Sequence, residues 1–118
     1  MLKPVLIVLT LAQGGDATHL ALSSPVDAGD CAARARSVQQ VLEEAGVLVI
    51  AARCAETDLG FTPYGHGDAA RPRVHRWRVT LPETGAALEP LTAADSCVPA
   101  PDATPAVHCA LSAQEVAR

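Results

Sequence analysis

The side chains able to do chemistry in this chain are few. They are four histidines (His19, His66, His75, His108), four cysteines (Cys31, Cys54, Cys97, Cys109) and one lysine, Lys3. No two histidines stand three or four residues apart, so no helix face offers a ready pair of metal ligands. His66, Asp68 and His75 are the one group of acid–base type close together in the sequence. Converging on one pocket, they would make the site of a small enzyme. The step Val107-His108-Cys109 sets a thiol beside an imidazole, but sequence adjacency does not create a nucleophile and its base. Serines at 23, 24, 37, 96 and 112 lack the G-x-S-x-G elbow of a hydrolase. A single lysine near the N-terminus, outside any phosphate-binding loop, leaves no basis for Schiff-base or nucleotide chemistry. No metal, cofactor or catalytic residue is therefore expected.

The cysteines are even in number and widely spaced, and none form C-x-x-C. That removes the usual signature of redox catalysis and of paired zinc knuckles. Two structural disulfides are the expectation, set against four buried free thiols in a reducing compartment. The most suggestive stretch for recognition is Phe61-Thr-Pro-Tyr-Gly-His-Gly-Asp68. It places two of the three aromatics in a Gly- and Pro-rich loop, where packing does not require them. Phe61, Tyr64 and His66 are the binding candidates. The competing expectation is that Phe61 and Tyr64 fold back over the sheet. Arg71, Arg73, Arg76 and Arg78 read as an anion patch or, more simply, as a solvated strand face with Arg–carboxylate pairs. Strand alternation turns Arg73 away from Arg76 and Arg78.

The elements that must hold these residues follow from periodicity. Val5, Ile7 and Leu9 alternate with Leu6, Val8 and Thr10 as in a buried strand. Gly14-Gly15-Asp16 offers a hairpin turn, and Thr18 to Ser23 returns with Leu20 and Leu22 inward. The same N-terminus also fits a short signal peptide, with Lys3 as its basic region, Pro4 to Ala12 as its apolar region, and cleavage after residue 12 or 17. Pro25 to Gly46 reads as a helix capped by Asp27, with Asp30 at N3, and stopped by Gly46. Its apolar face is Cys31, Ala35, Val38, Leu42 and Ala45.

Val47 to Cys54 is a strand. The helix rises roughly 21 Å from Cys31 to Ala45. The strand runs back roughly 23 Å to Cys54. That brings Cys54 level with Cys31 and selects the pairs Cys31–Cys54 and Cys97–Cys109 from the three connectivities open to four cysteines. Arg73 to Leu81 is a further strand with Trp77 in the core, and Ala86 to Leu91 a short edge strand limited by Pro90. Pro99, Pro101 and Pro105 mark residues 95–118 as an irregular tail, closed into a loop by Cys97–Cys109.

Composition bounds the rest. At 118 residues the chain is expected to be a single domain, 1–118. Aromatics are only 3%, so the core must rest on Val, Leu, Ile and Ala, and covalent bridges matter more. A net charge of −4 argues against nucleic acid as partner. The longest apolar run is about half a membrane span, so no transmembrane segment is expected. Cys31 at the head of the helix, and Arg53-Cys54 at the end of the next strand, resemble small cysteine-containing proteins of GC-rich bacteria. That resemblance implies an envelope or secreted location and brings no known activity.

The fold expected is α+β: three to five mostly antiparallel strands in the order β-β-α-β-β, one helix on a face, and a disulfide-closed C-terminal loop. The function expected is a non-enzymatic periplasmic or secreted accessory or binding protein with a protein partner. A cytoplasmic interaction or regulatory domain with free thiols is the alternative if the N-terminal segment is a strand. The small enzyme using His66, Asp68 and His75 is the third.

Overall fold

The computed structural model describes residues 2–11, 17–62 and 75–114. Its elements are β1 (Lys3–Leu11), β2 (Thr18–Ser23), α1 (Ala28–Glu44), β3 (Leu48–Thr57), β4 (His75–Leu81), β5 (Ala87–Leu91) and β6 (Ala106–Ser112). They form one six-stranded sheet in the order β3-β1-β2-β6-β4-β5. All neighbours pair antiparallel except β2 and β6, which run parallel. The α+β class holds. The strand number and order do not: there are six strands, in sequence β-β-α-β-β-β-β, and the sheet is mixed.

The N-terminal segment is a strand from Lys3 to Leu11, and its alternation divides two cores. Val5, Ile7 and Leu9 face inward with Leu20, Leu22, Trp77, Val79, Leu81 and Ala110. Leu6 and Val8 face outward, where Cys31, Ala35, Val38 and Leu42 of α1 cover them. Burial of both faces is why β1 reads as a continuous apolar run. The hairpin turn expected at Gly14-Gly15-Asp16 lies outside the described residues.

Helix α1 begins as its sequence dictates. Asp27 is the N-cap, and its Oδ1 accepts from Asp30 N at 2.8 Å. Asp30 reaches back to accept from Val26 N at 2.8 Å, one residue before the cap, in a reciprocal arrangement like a capping box. The helix ends at the C-cap Ala45, which is exposed and does not join the apolar face. Gly46 follows at φ 81°, a backbone conformation that favours glycine. The Cys31–Cys54 disulfide then pins the helix start to the far end of β3, with Cα atoms 6.0 Å apart.

The sheet curls until its two edge strands approach. Arg53 of β3, on the inner face with Ala51 and Ala55, donates to the carbonyls of Pro82 and Gly85 in the β4–β5 turn. The second disulfide, Cys97–Cys109, also has Cα atoms 6.0 Å apart. It does not close an irregular tail. Cys109 stands in β6, between β2 and β4 in the sheet, so the bridge fastens the preceding loop to that strand. The three prolines exclude regular structure only up to Pro105. From Ala106 the backbone is free to pair, and residues 106–112 form a ladder with β4.

Candidate functional site

The loop singled out for recognition leaves the sheet at Phe61 and Thr62 and re-enters at His75. Tyr64, His66 and Asp68 lie outside the described residues, so the convergence of His66 and Asp68 with His75 is not described. Both roots of the segment are held at one end of the sheet. β2 and β6 pair only through Thr18–Ala110 and His19–Leu111, and beyond them Gln114 takes over. Its Oε1 accepts from Leu22 N at 2.7 Å, and its Nε2 donates to Leu22 O at 2.8 Å and to Thr62 O at 2.7 Å. A side-chain amide carries one acceptor and two donors in a plane, so it offers Leu22 what a neighbouring strand would. Gln114 is 1% exposed, which corrects the expectation of an irregular tail here.

The same end collects the other buried polar side chains among the described residues. Ser112 is buried, and its Oγ accepts from Gln114 N at 3.0 Å. Thr57 is buried, and its Oγ1 accepts from Leu59 N at 3.1 Å. His75 stands opposite Ser112 in the β4–β6 ladder. Phe61 is half-buried, packs against the inner core and carries the Lys3 ammonium 5.5 Å from its ring centroid. That geometry suits a cation–π contact. Phe61 thus folds back onto the sheet. Trp77, two residues into β4 from His75, is buried with its indole N–H lacking an acceptor among the described residues.

Arg76 and Arg78 hold the chain that follows β5. Arg76 donates to Thr92 O at 2.9 Å and to Asp95 O at 3.0 Å. Arg78 pairs with Glu89 at 2.6 Å and donates to Ser96 O at 2.6 Å. These two arginines anchor the segment 92–96 across the outer face. Arg71 and Arg73 lie outside the described residues. The Asp95 carboxyl is held below its ordinary pKa, first by Thr92 N and then by the Thr92 hydroxyl. Asp30 is lowered likewise, chiefly by the Val26 N–H, with Arg34 adding to the effect. His108 stands opposite Val79 on the inner face, and burial pushes its pKa down.

All four cysteines are bridged, so none is a free nucleophile. Among the described residues, no three His, Cys, Asp or Glu side chains converge as metal ligands. No helix of the described structure is long and apolar enough to cross a membrane. The sequence pattern assigns no role to Gln114, and Arg53 enters it only through the resemblance carried by Arg53-Cys54. The usable signal for Gln114 was parity, because it continues the inward set Ala110, Ser112 past the end of the strand. Arg53 carried no such mark: it is an arginine among alanines, and its role depends on how far the sheet curls. No known protein family, no curated protein and no solved structure matches this chain.

Proposed function

We propose that this chain is a non-enzymatic binding module that works in an oxidising compartment, the envelope or exterior of a bacterial cell. It engages a protein partner through the segment rooted at Phe61 and His75. The observation that carries this reading is the pairing of all four cysteines in two bridges. Disulfides form and persist in such compartments and are uncommon where thioredoxin and glutathione act. The bacterial source follows the resemblance drawn from Cys31 and Arg53-Cys54. The binding role follows from the loop aromatics and the clamp that fixes the loop's two roots. Export has to leave residues 3–11 in place. Cleavage after residue 12 or 17 would remove β1, which lies between β2 and β3 and supplies both cores.

That same observation on β1 favours the second reading, a cytoplasmic interaction domain whose N-terminal strand is intact. Intact mass after expression from the native gene in a bacterial host, with cell fractionation under thiol-blocking conditions, separates the two. The first reading expects an envelope or medium fraction that retains residues 3–11 and is about 4 Da lighter than the reduced chain. A cytoplasmic chain with four alkylated thiols overturns it and leaves the second. Crosslinking from Phe61 or Tyr64 then tests the contact surface. Partner capture unaffected by Phe61→Ala combined with Tyr64→Ala would remove the loop from the site.

A further inference from the structure

We propose that the Cys97–Cys109 bridge is a redox latch. A dithiol reductant opens it selectively, and the segment 97–105 then lifts from the edge of β6 while the rest of the fold stands. The two bridges are protected unequally. Cys31 is fully buried under α1, packed with Leu6 and Val8, and its Sγ lies 3.8 Å from Val5 O. Cys54 is half-buried, but a thiolate attacking it must expel the Cys31 sulfur as an anion into that apolar site. Burial raises the pKa of a thiol and makes it a poor leaving group. Cys97 and Cys109 are both half-buried, and Ser96 and Val98 beside Cys97 are exposed. Either sulfur of this bridge can be reached, and either leaves into partly solvated surroundings.

What the latch holds is otherwise lightly held. β6 meets β2 only at Ala110 and Leu111, so its edge before them needs another cover. The segment supplies it through one pair of backbone bonds, Ala100 N to Val107 O at 2.9 Å and Val107 N to Ala100 O at 3.0 Å. Val98, Pro99 and residues 101–105 are exposed and bury little that would resist release. Both ends are fixed independently. Arg76 and Arg78 hold the carbonyls of Asp95 and Ser96, and from Ala106 the chain is paired with β4. Opening the bridge therefore frees 97–105 between two fixed points and uncovers the N–H and C=O of Val107. In the exchange, a thiolate of the dithiol attacks one sulfur of the bridge, forms a mixed disulfide and expels the other sulfur, which takes a proton. The second thiol of the reductant then displaces the remaining protein sulfur. The reductant ends as a disulfide, and Cys97 and Cys109 end as thiols. This device is separate from the segment rooted at Phe61 and His75, and its failure leaves that reading standing.

Graded dithiothreitol on the oxidised full chain, quenched by alkylation and read by peptide mass, gives the order of opening. Cys97 and Cys109 should be alkylated about tenfold faster than Cys31 and Cys54. In the half-reduced species the Ala100 and Val107 amides should exchange with deuterium about tenfold faster, with α1 and the β1–β3 pair unchanged. Oxidised glutathione should then restore the original pattern. Simultaneous opening of the bridges, or Cys31–Cys54 opening first, overturns the proposal. So does a half-reduced species in which Ala100 and Val107 stay protected, because the bridge would then hold nothing. Loss of protection in α1 and β1–β3 as well overturns it too, because the bridge would then staple the whole fold. Failure of oxidised glutathione to re-form the bridge removes the reversibility that a latch requires.

Discussion

At the scale of single residues, Gln114 does more than any candidate drawn from the sequence. Its amide gives three hydrogen bonds to backbone groups 52 and 92 residues away in the sequence. Gln114→Ala leaves Leu22 N, Leu22 O and Thr62 O without their partner. The expected loss is about 2–4 kcal/mol, read by chemical denaturation of the oxidised protein. Gln114→Met separates the causes: it restores most of the volume but none of the bonds, and should recover little. Full recovery with Met would mean that packing alone holds this end.

His108 gives a pH signature at the same scale. Burial lowers its folded pKa below the ordinary 6.5, so the unfolded chain binds its proton first as pH falls. Stability should decline as pH drops from about 6.5 and level off below the folded pKa of His108. His108→Gln should flatten that step in a series of melting curves. Asp30 and Asp95 titrate in a separate, more acidic window. Their lowered pKa values add stability above about 3.8 that disappears as pH falls through the folded values.

At the scale of elements, what could be read in advance was what local pattern determines. The alternation in Val5–Leu9 gave β1 its two faces. Asp27, Asp30 and Gly46 bounded α1 to within a residue or two. The length argument from Cys31 to Cys54 succeeded because helix and strand have fixed rise per residue, and an antiparallel return leaves little freedom. β6 is not legible in the sequence for the opposite reason. Its existence depends on neighbours distant in sequence, and the prolines before it signal only a loop. Ala100 and Val107 exchange backbone hydrogen bonds at 2.9 and 3.0 Å, so the loop itself occupies the edge of β6 before β2 arrives at Ala110. The Cys97–Cys109 bridge keeps that loop in place. Replacing both cysteines with serine should cost about 3 kcal/mol in the chain-entropy account. Limited proteolysis should then cut between Ser96 and Pro105 while α1 and β3 stay resistant. If cleavage instead appeared in α1, the bridge would be serving the whole fold and not this loop.

At the scale of the molecule, the problem is a six-stranded sheet with two edges and very few aromatic side chains. β5 is short and carries Pro90, which cannot donate to another strand. β3 is ten residues long and carries no proline. Curling the sheet brings these edges together, and Arg53 is the group that spans them. Its guanidinium satisfies the carbonyls of Pro82 and Gly85, which the turn leaves without strand partners. A charged donor to partly buried carbonyls is worth about 1–2 kcal/mol after allowance for solvent. None of this was legible from the residues around position 53, because closure is a property of strand order and twist and not of local pattern.

Arg53→Met keeps the apolar stem and removes the latch. It should lower stability by about 1 kcal/mol. Its clearer mark should be regional: faster amide exchange at Gly85 to Leu88 and along Arg53 to Ala55, with α1 and the β1–β2 pair unchanged. Uniform acceleration across the whole sheet would show that Arg53 supports the global fold. No change at Gly85 to Leu88 would show that the edges are held together by the inner core alone, through Leu88 and Ala55 packing against the cluster around Trp77.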